Sequence, residues 1–203
     1  MMIRNLIRSG VCVLALLAPL QASASFYLGA DVGVSRWDVD TGDVNIDGSL
    51  GGRLDRADMV VGLRAGYQFT RNFGLEAAYR DLGESSFKGQ SVGGWFYCPG
   101  SVSVSVEADV LELTAVGLAH VTDQLALTGR VGAAYWDSKV SLKDSCGSFS
   151  AEDSGTDLTF GLGVQWSPVD ARWAVRLEGQ QYQNVTEDDF TIRTVSLGGL
   201  IRF

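Results

Sequence analysis

Along most of this chain an apolar residue stands at every second position. From Asp58 onward Met59, Val61, Leu63, Ala65, Tyr67 and Phe69 are apolar, and Gly62, Arg64, Gly66 and Gln68 lie between them. After Thr70-Arg71-Asn72 the pattern resumes, with Phe73, Leu75, Ala77 and Tyr79 alternating with Gly74, Glu76, Ala78 and Arg80. A period of two is the period of a strand, whose side chains point to opposite faces in turn. The three-residue gap therefore predicts a tight hairpin. The same reading gives strands over Leu28–Val34, Leu125–Tyr135, Leu158–Trp166, Trp173–Gln180 and Val195–Phe203. Val102–Val121 is also a strand, but its phase stays open: Leu111 and Leu113 fit one register and Val116 and Leu118 the other, as a bulge would allow. The count is eight, and hardly any of the chain repeats at helical spacing.

The connections alternate as well. Short ones are expected at Thr70–Asn72, Thr122–Gln124 and Ser167–Arg172, and longer ones at Asp38–Asp58, Leu82–Glu107, Asp137–Asp157 and Val185–Asp189. Pro19, Pro99 and Pro168 all avoid strand interiors, where proline would remove a ladder hydrogen bond. An even number of antiparallel strands, with short turns at one end and long loops at the other, is the plan of a transmembrane barrel. A soluble lipocalin-like barrel would turn its apolar face inward. Here the non-apolar face holds Gly, Ala, Thr and Gln together with Arg64, Glu76, Arg80, Glu112, Arg130, Arg176, Glu178 and Arg202, a poor lining for an apolar pocket. The expected fold is an all-β, eight-stranded antiparallel up-and-down transmembrane β-barrel. A sheet in lipid must close on itself, so the last strand should pair with the first. Phe203 then lies in a periplasmic aromatic girdle with Phe69, Phe73, Trp166 and Trp173, facing a second girdle of Tyr79, Tyr135 and Trp136.

The first residues supply the compartment. Arg4 and Arg8 precede an apolar run, Gly10–Leu20, and a small-residue box, Ala22-Ser23-Ala24. This is the layout of a secretory signal cut after Ala24, leaving a barrel domain over 25–203. The apolar run of about 11 residues is too short to span a bilayer, which takes roughly 20. Export leaves Cys98 and Cys146 in an oxidising space, where a pair of thiols reads as a disulfide. One histidine and two cysteines make no convincing zinc shell. The four longer connections hold sixteen acidic residues against five basic ones, so the acidity of this chain, net −8, belongs to one rim. An acidic rim with no basic stripe disfavours nucleic acid.

With these residues in hand the chain resembles the small eight-stranded outer-membrane barrels of the OmpA transmembrane-domain and OmpX type. The resemblance rests on FYLGADVGVSRW at Phe26–Trp37, on glycine-interleaved strands such as TFGLGVQW at Thr159–Trp166, and on the closing strand that ends at Phe203. It implies an integral place in the outer membrane of a Gram-negative bacterium, amid outer-membrane lipid and lipopolysaccharide. It also implies that Phe203 is the assembly signal read transiently by the barrel-assembly machinery. No periplasmic peptidoglycan-binding domain is expected beside the barrel, so no cell-wall tether is implied.

Candidate chemistry is sparse. Asp43, Asn45, Asp47 and Gly48 match the first half of a calcium loop, D-x-N-x-D-G, but its twelfth position is Leu54 where a bidentate Glu is needed. An acidic, solvated loop is the favoured reading, and no metal or cofactor is expected. His120 has no H-x-S neighbourhood and is expected as a rim histidine, so the chain is expected not to be an enzyme. An eight-stranded barrel is just wide enough for side chains to fill, so the interior Arg and Glu residues are expected to pair as a plug. Trp95-Phe96-Tyr97, next to Cys98, is a candidate binding surface or a cover for the barrel mouth. The expected function is structural or interactive, through acidic extracellular loops of a monomer. The alternative is a narrow porin-like channel for small solutes or ions.

Overall fold

The structure is a computed structural model that describes residues 25–38, 49–55, 57–93, 98–185 and 190–203. The leader over 1–24, the candidate calcium residues Asp43, Asn45 and Asp47, and Trp95–Tyr97 lie outside the described residues. Nine β segments follow one another: β1 Ser25–Trp37, β2 Ser49–Asp55, β3 Ala57–Gln68, β4 Phe73–Ser91, β5 Gly100–His120, β6 Leu125–Lys143, β7 Ser148–Trp166, β8 Trp173–Val185 and β9 Phe190–Arg202. Every pairing is antiparallel. β2 and β3 both pair with β4, β3 along its first half and β2 along its second, so together they fill one place in the wall. Eight strands thus close into a ring, with β1 and β9 as the closing seam, Leu28 opposite Ile201 and Val34 opposite Val195.

The register fixes the shape of the ring. Partners followed around the wall from Ala57 run through Arg36, Arg193, Gln181, Phe160, Val131, Ala115 and Leu75, and return to β3 at Tyr67. The stagger of ten residues over eight strands tilts the strands by roughly 40°, within the range that barrel closure requires. At that tilt about 9–11 residues cross the hydrocarbon.

The barrel is inside out relative to a soluble one. Leu162 is 75% exposed, Leu63 64% and Leu113 61%, all on the outer wall, while Glu76 and Arg80 inside are fully buried. Phe26–Phe203, Tyr67–Phe69, Phe69–Phe73 and Trp166–Trp173 form ring contacts at the end that carries the short turns, with centroids 5.0–6.3 Å apart. Short turns mark the periplasmic end of such barrels. Trp136 does not join the opposite girdle: it points inward, buried, and donates its indole N–H to Asp157 at 2.9 Å.

Two further expectations are corrected. β5 keeps one register against β6 from Ser103 to His120, so it has no bulge there; Val116 and Leu118 simply face inward and are buried. The register shift falls on β4 instead, between Asp81 and Glu84. The longer connections are also largely strand. β4 runs to Ser91, β5 starts at Gly100, and β6 and β7 are joined by four residues, Asp144–Gly147. What looked like acidic loops is mostly a sheet of β2, β4, β5, β6 and β7 that rises beyond the ring.

Candidate functional site

Alternation along each strand delivers the interior. Asp31 comes from β1, Arg64 from β3, Glu76 and Arg80 from β4, Glu112 from β5, Arg130 from β6, and Arg176, Glu178 and Gln180 from β8; all are buried. Four arginines meet four carboxylates, and the charges cancel. Glu178 Oε1 lies 2.7 Å from Arg130, 3.0 Å from Arg80 and 3.5 Å from Arg64, and its Oε2 lies 3.7 Å from Arg176. Glu76 lies 2.8 Å from Arg130, 2.9 Å from Arg176 and 3.1 Å from Arg64, and accepts the Tyr27 hydroxyl at 2.7 Å. Glu112 faces Arg80 at 3.1 Å and Arg130 at 3.3 Å, and accepts hydrogen bonds from Gln180 and the Tyr182 hydroxyl. Asp31 pairs with Arg64 at 2.7 Å and lies 3.7 Å from Arg80. Buried ions need several partners each, because desolvation otherwise exceeds the attraction. Here each carboxylate has at least two.

Arg202 departs from the expected network. Its guanidinium donates to Ser167 Oγ at 3.1 Å, at the periplasmic mouth, with no carboxylate in ion-pair range among the described residues. Asp31, Tyr27, Gln180 and Tyr182 were not singled out in the sequence. Asp31 stands among the non-apolar residues of its strand between Gly29 and Gly33, so its inward phase was legible there.

Apolar side chains close the polar centre at both ends. Trp37, Val60, Leu82, Val110, Trp136, Tyr182 and Ile192 pack across the barrel on the extracellular side. Tyr27, Ala174 and Leu200, and separately Val116, Leu118 and Ala126, pack on the periplasmic side. The cavity left between Arg176, Tyr27 and Leu200 is about 10 Å³, room for about one water. An open vestibule of about 370 Å³ lies below it, lined by Gln68, Arg71, His120, Asp123, Gln165 and Arg202. His120 sits on this rim at the end of β5. Among the described residues no group of three or more His, Cys, Asp or Glu side chains is arranged to hold a metal ion.

The projecting sheet has two faces of different character. One cross-strand row, Phe87, Val104, Leu142 and Phe149, is apolar on the axis side; the row Ser86, Ser105, Ser141 and Ser150 carries only hydroxyls on the outer side. Its tip is stapled by the Cys98–Cys146 disulfide, with Cα atoms 5.9 Å apart. Asp144 accepts backbone N–H groups from Cys98 at 3.2 Å and from Cys146 and Gly147 at 2.9 Å each. These donors hold its carboxyl below the usual carboxylate range. The Ser145 hydroxyl donates to the Pro99 carbonyl, a second link between the two hairpins.

The family model for the OmpA-like transmembrane domain matches residues 21–203. No curated protein matches the sequence. Among solved structures, the chain is similar to the outer-membrane protein OprG of Pseudomonas aeruginosa, at 12% identity and TM-score 0.58, with 90% of this chain and 97% of that one covered. Neisserial surface protein A is similar at 12% identity and TM-score 0.55, covering 88% and 97%. Ail, the attachment invasion locus protein of Yersinia pestis, solved with the heparin analogue sucrose octasulfate, is similar at 18% identity and TM-score 0.52, covering 89% and 97%.

Proposed function

The chain belongs to the OmpA-like transmembrane domain family and is an integral outer-membrane β-barrel, and on that premise we propose that it acts without catalysis, as a closed barrel that presents its extracellular sheet for surface contact. The observation that carries this reading is the contrast between the two halves of the molecule. Inside the membrane the lumen is filled by a charge-balanced network with apolar packing above and below, and the cavity beside Arg176 and Tyr27 measures about 10 Å³. Above the membrane the chain invests in strands of up to 21 residues, twice what a crossing needs, and staples their tip. Ail, whose fold is similar, carries attachment in its name and was solved with a heparin analogue; a contact role for this chain is consistent with that.

The companion proposals follow the same premise. The leader is cut after Ala24, and the barrel 25–203 is delivered to the assembly machinery, with Phe203 as the terminal signal. A narrow channel is the competing reading, and the periplasmic vestibule is the feature that favours it. Conduction through it would require the ion network and the apolar cluster around Trp37 and Trp136 to part.

The deciding experiment compares cells displaying the whole chain with cells displaying a barrel whose β4–β5 and β6–β7 hairpins are cut back to the partners Asp81–Asp109 and Asp137–Ser154. Whole-chain cells should adhere to glycan-coated surfaces and the shortened barrel should not, at equal surface abundance. Equal adherence by both would sink the contact reading.

A further inference from the structure

On the outer wall the apolar belt gives way to polar residues at its extracellular edge on most strands. Asp81, Asp109 and Asp137 end the belts of β4, β5 and β6, above Tyr79, Leu111 and Tyr135. Arg36 ends that of β1, above Val34, and Arg193 that of β9, above Val195. The border is therefore acidic on one side of the barrel and basic on the other.

Arg36 and Arg193 are direct cross-strand partners at the closing seam, and both are exposed. Like charges directly opposite one another weaken a strand pair, with Cβ atoms roughly 5 Å apart. Within the protein they are only partly compensated. Arg193 reaches Asp38 at 3.6 Å, in a solvent-exposed pair, and Gln181 at 3.4 Å. Arg36 has no ion pair or side-chain hydrogen bond among the described residues. The four buried arginines, by contrast, each contact two or three carboxylates. Two planar guanidiniums at the level where lipid headgroups begin offer the forked donors that suit a phosphate.

The wall beneath the pair supplies a second observation. Next in register down the seam are Val34 with Val195, Val32 with Leu197, and Ala30 with Gly199. Gly179 flanks Val195 on β8. A side chain added at Gly199 would meet nothing within 4 Å, and one at Gly179 only two carbonyl oxygens at 3.9 Å. Gly179 thus leaves a dip in the apolar wall beside Val195, just below the two arginines, and Ala30 with Gly199 leaves a second one beyond the row of Val32, Leu197 and Leu177.

We infer that Arg36 and Arg193 form a binding site for the phosphate of an acylated outer-leaflet glycolipid, with an acyl chain lying on the apolar wall over Gly179. The anion relieves the repulsion between the guanidiniums and thereby ties the closing seam to the lipid. The site rests on the membrane placement of the barrel and is independent of the surface-contact reading.

The test uses the refolded mature chain in detergent with three probes: bis-phosphorylated lipid A, the same lipid after enzymatic dephosphorylation, and inorganic phosphate. Native mass spectrometry counts lipid per barrel for wild type, for Arg36→Gln/Arg193→Gln and for Lys139→Gln, a cation elsewhere on the outer wall. The wild type and Lys139→Gln should retain phosphorylated lipid A, and the double variant should retain at least about tenfold less, the loss expected for one charge-assisted hydrogen bond. Equal retention by wild type and double variant would overturn the site, as would equal retention of phosphorylated and dephosphorylated lipid by the wild type, a comparison that needs no variant. Displacement of the lipid by millimolar inorganic phosphate would overturn the lipid assignment in favour of a free-anion site. Unchanged heat-dependent gel mobility verifies that the variants remain folded.

Discussion

At the residue scale the interior is decided by how many partners each charge has. Glu178 is shared by four arginines, so Glu178→Gln leaves an excess of buried positive charge and should cost about 3–5 kcal/mol. Urea unfolding of the refolded barrel in lipid, followed by tryptophan fluorescence, measures it. Arg202→Gln, at the solvated mouth where its guanidinium donates to Ser167, should cost under about 1 kcal/mol. Gly66 makes room for the Tyr27 ring: a Cβ there would stand 2.1–2.6 Å from ring atoms of a side chain held by Glu76. Gly66→Ala should displace that ring and cost about 1–3 kcal/mol in the same assay. Asp144 gives a pH dependence with a definite sign. Its carboxyl is held low in the folded tip, so its contribution is present above the unfolded pKa and lost as pH falls through the folded one. Hydrogen exchange at the Cys98, Cys146 and Gly147 amides should therefore accelerate in acid, beyond the intrinsic trend, and Asp144→Asn should remove that excess.

At the scale of elements, the membrane half and the extracellular half answer to different forces. The wall below Tyr79 and Tyr135 is held by closed backbone pairing in lipid. The sheet above it depends on its own rows and on the disulfide, whose loop of 48 residues is worth about 4 kcal/mol by chain entropy. Cys98→Ser/Cys146→Ser should leave the barrel folded, with its heat-dependent mobility intact, while the tip becomes open to protease. Collapse of the barrel on loss of the bridge would contradict this division. The strand assignments that sequence reading missed belong to the same half. In Lys139–Lys143 Val140 and Leu142 alternate with lysine and serine, a strand pattern that acidic neighbours made look like loop, yet β6 runs to Lys143. In β5 Val116 and Leu118 looked out of phase, because an inward position was expected to be polar. Near the periplasmic end of the lumen it is apolar, and they pack with Ala126.

At the scale of the whole molecule, ring size and packing combine to close the lumen. Eight strands enclose a space that side chains can fill, and here four ion-paired arginines with aromatic and aliphatic groups above and below do so. Purified protein inserted in a planar bilayer should give no discrete conductance steps at either low or high salt. Reproducible steps that change on neutralising Arg64 or Glu76 would instead promote the channel reading. Period-two alternation, short turns and a terminal aromatic strand determined the barrel, its strand number and the inward set from Arg64 to Glu178, because each of these follows from local spacing along one strand. Which arginine meets which carboxylate, the inclusion of Asp31 and the exclusion of Arg202 were decided only by tertiary structure. So were the inward turn of Trp136 and the meeting of Arg36 with Arg193. Those outcomes depend on cross-strand register and on depth along the barrel axis, and both are set only when the ring closes.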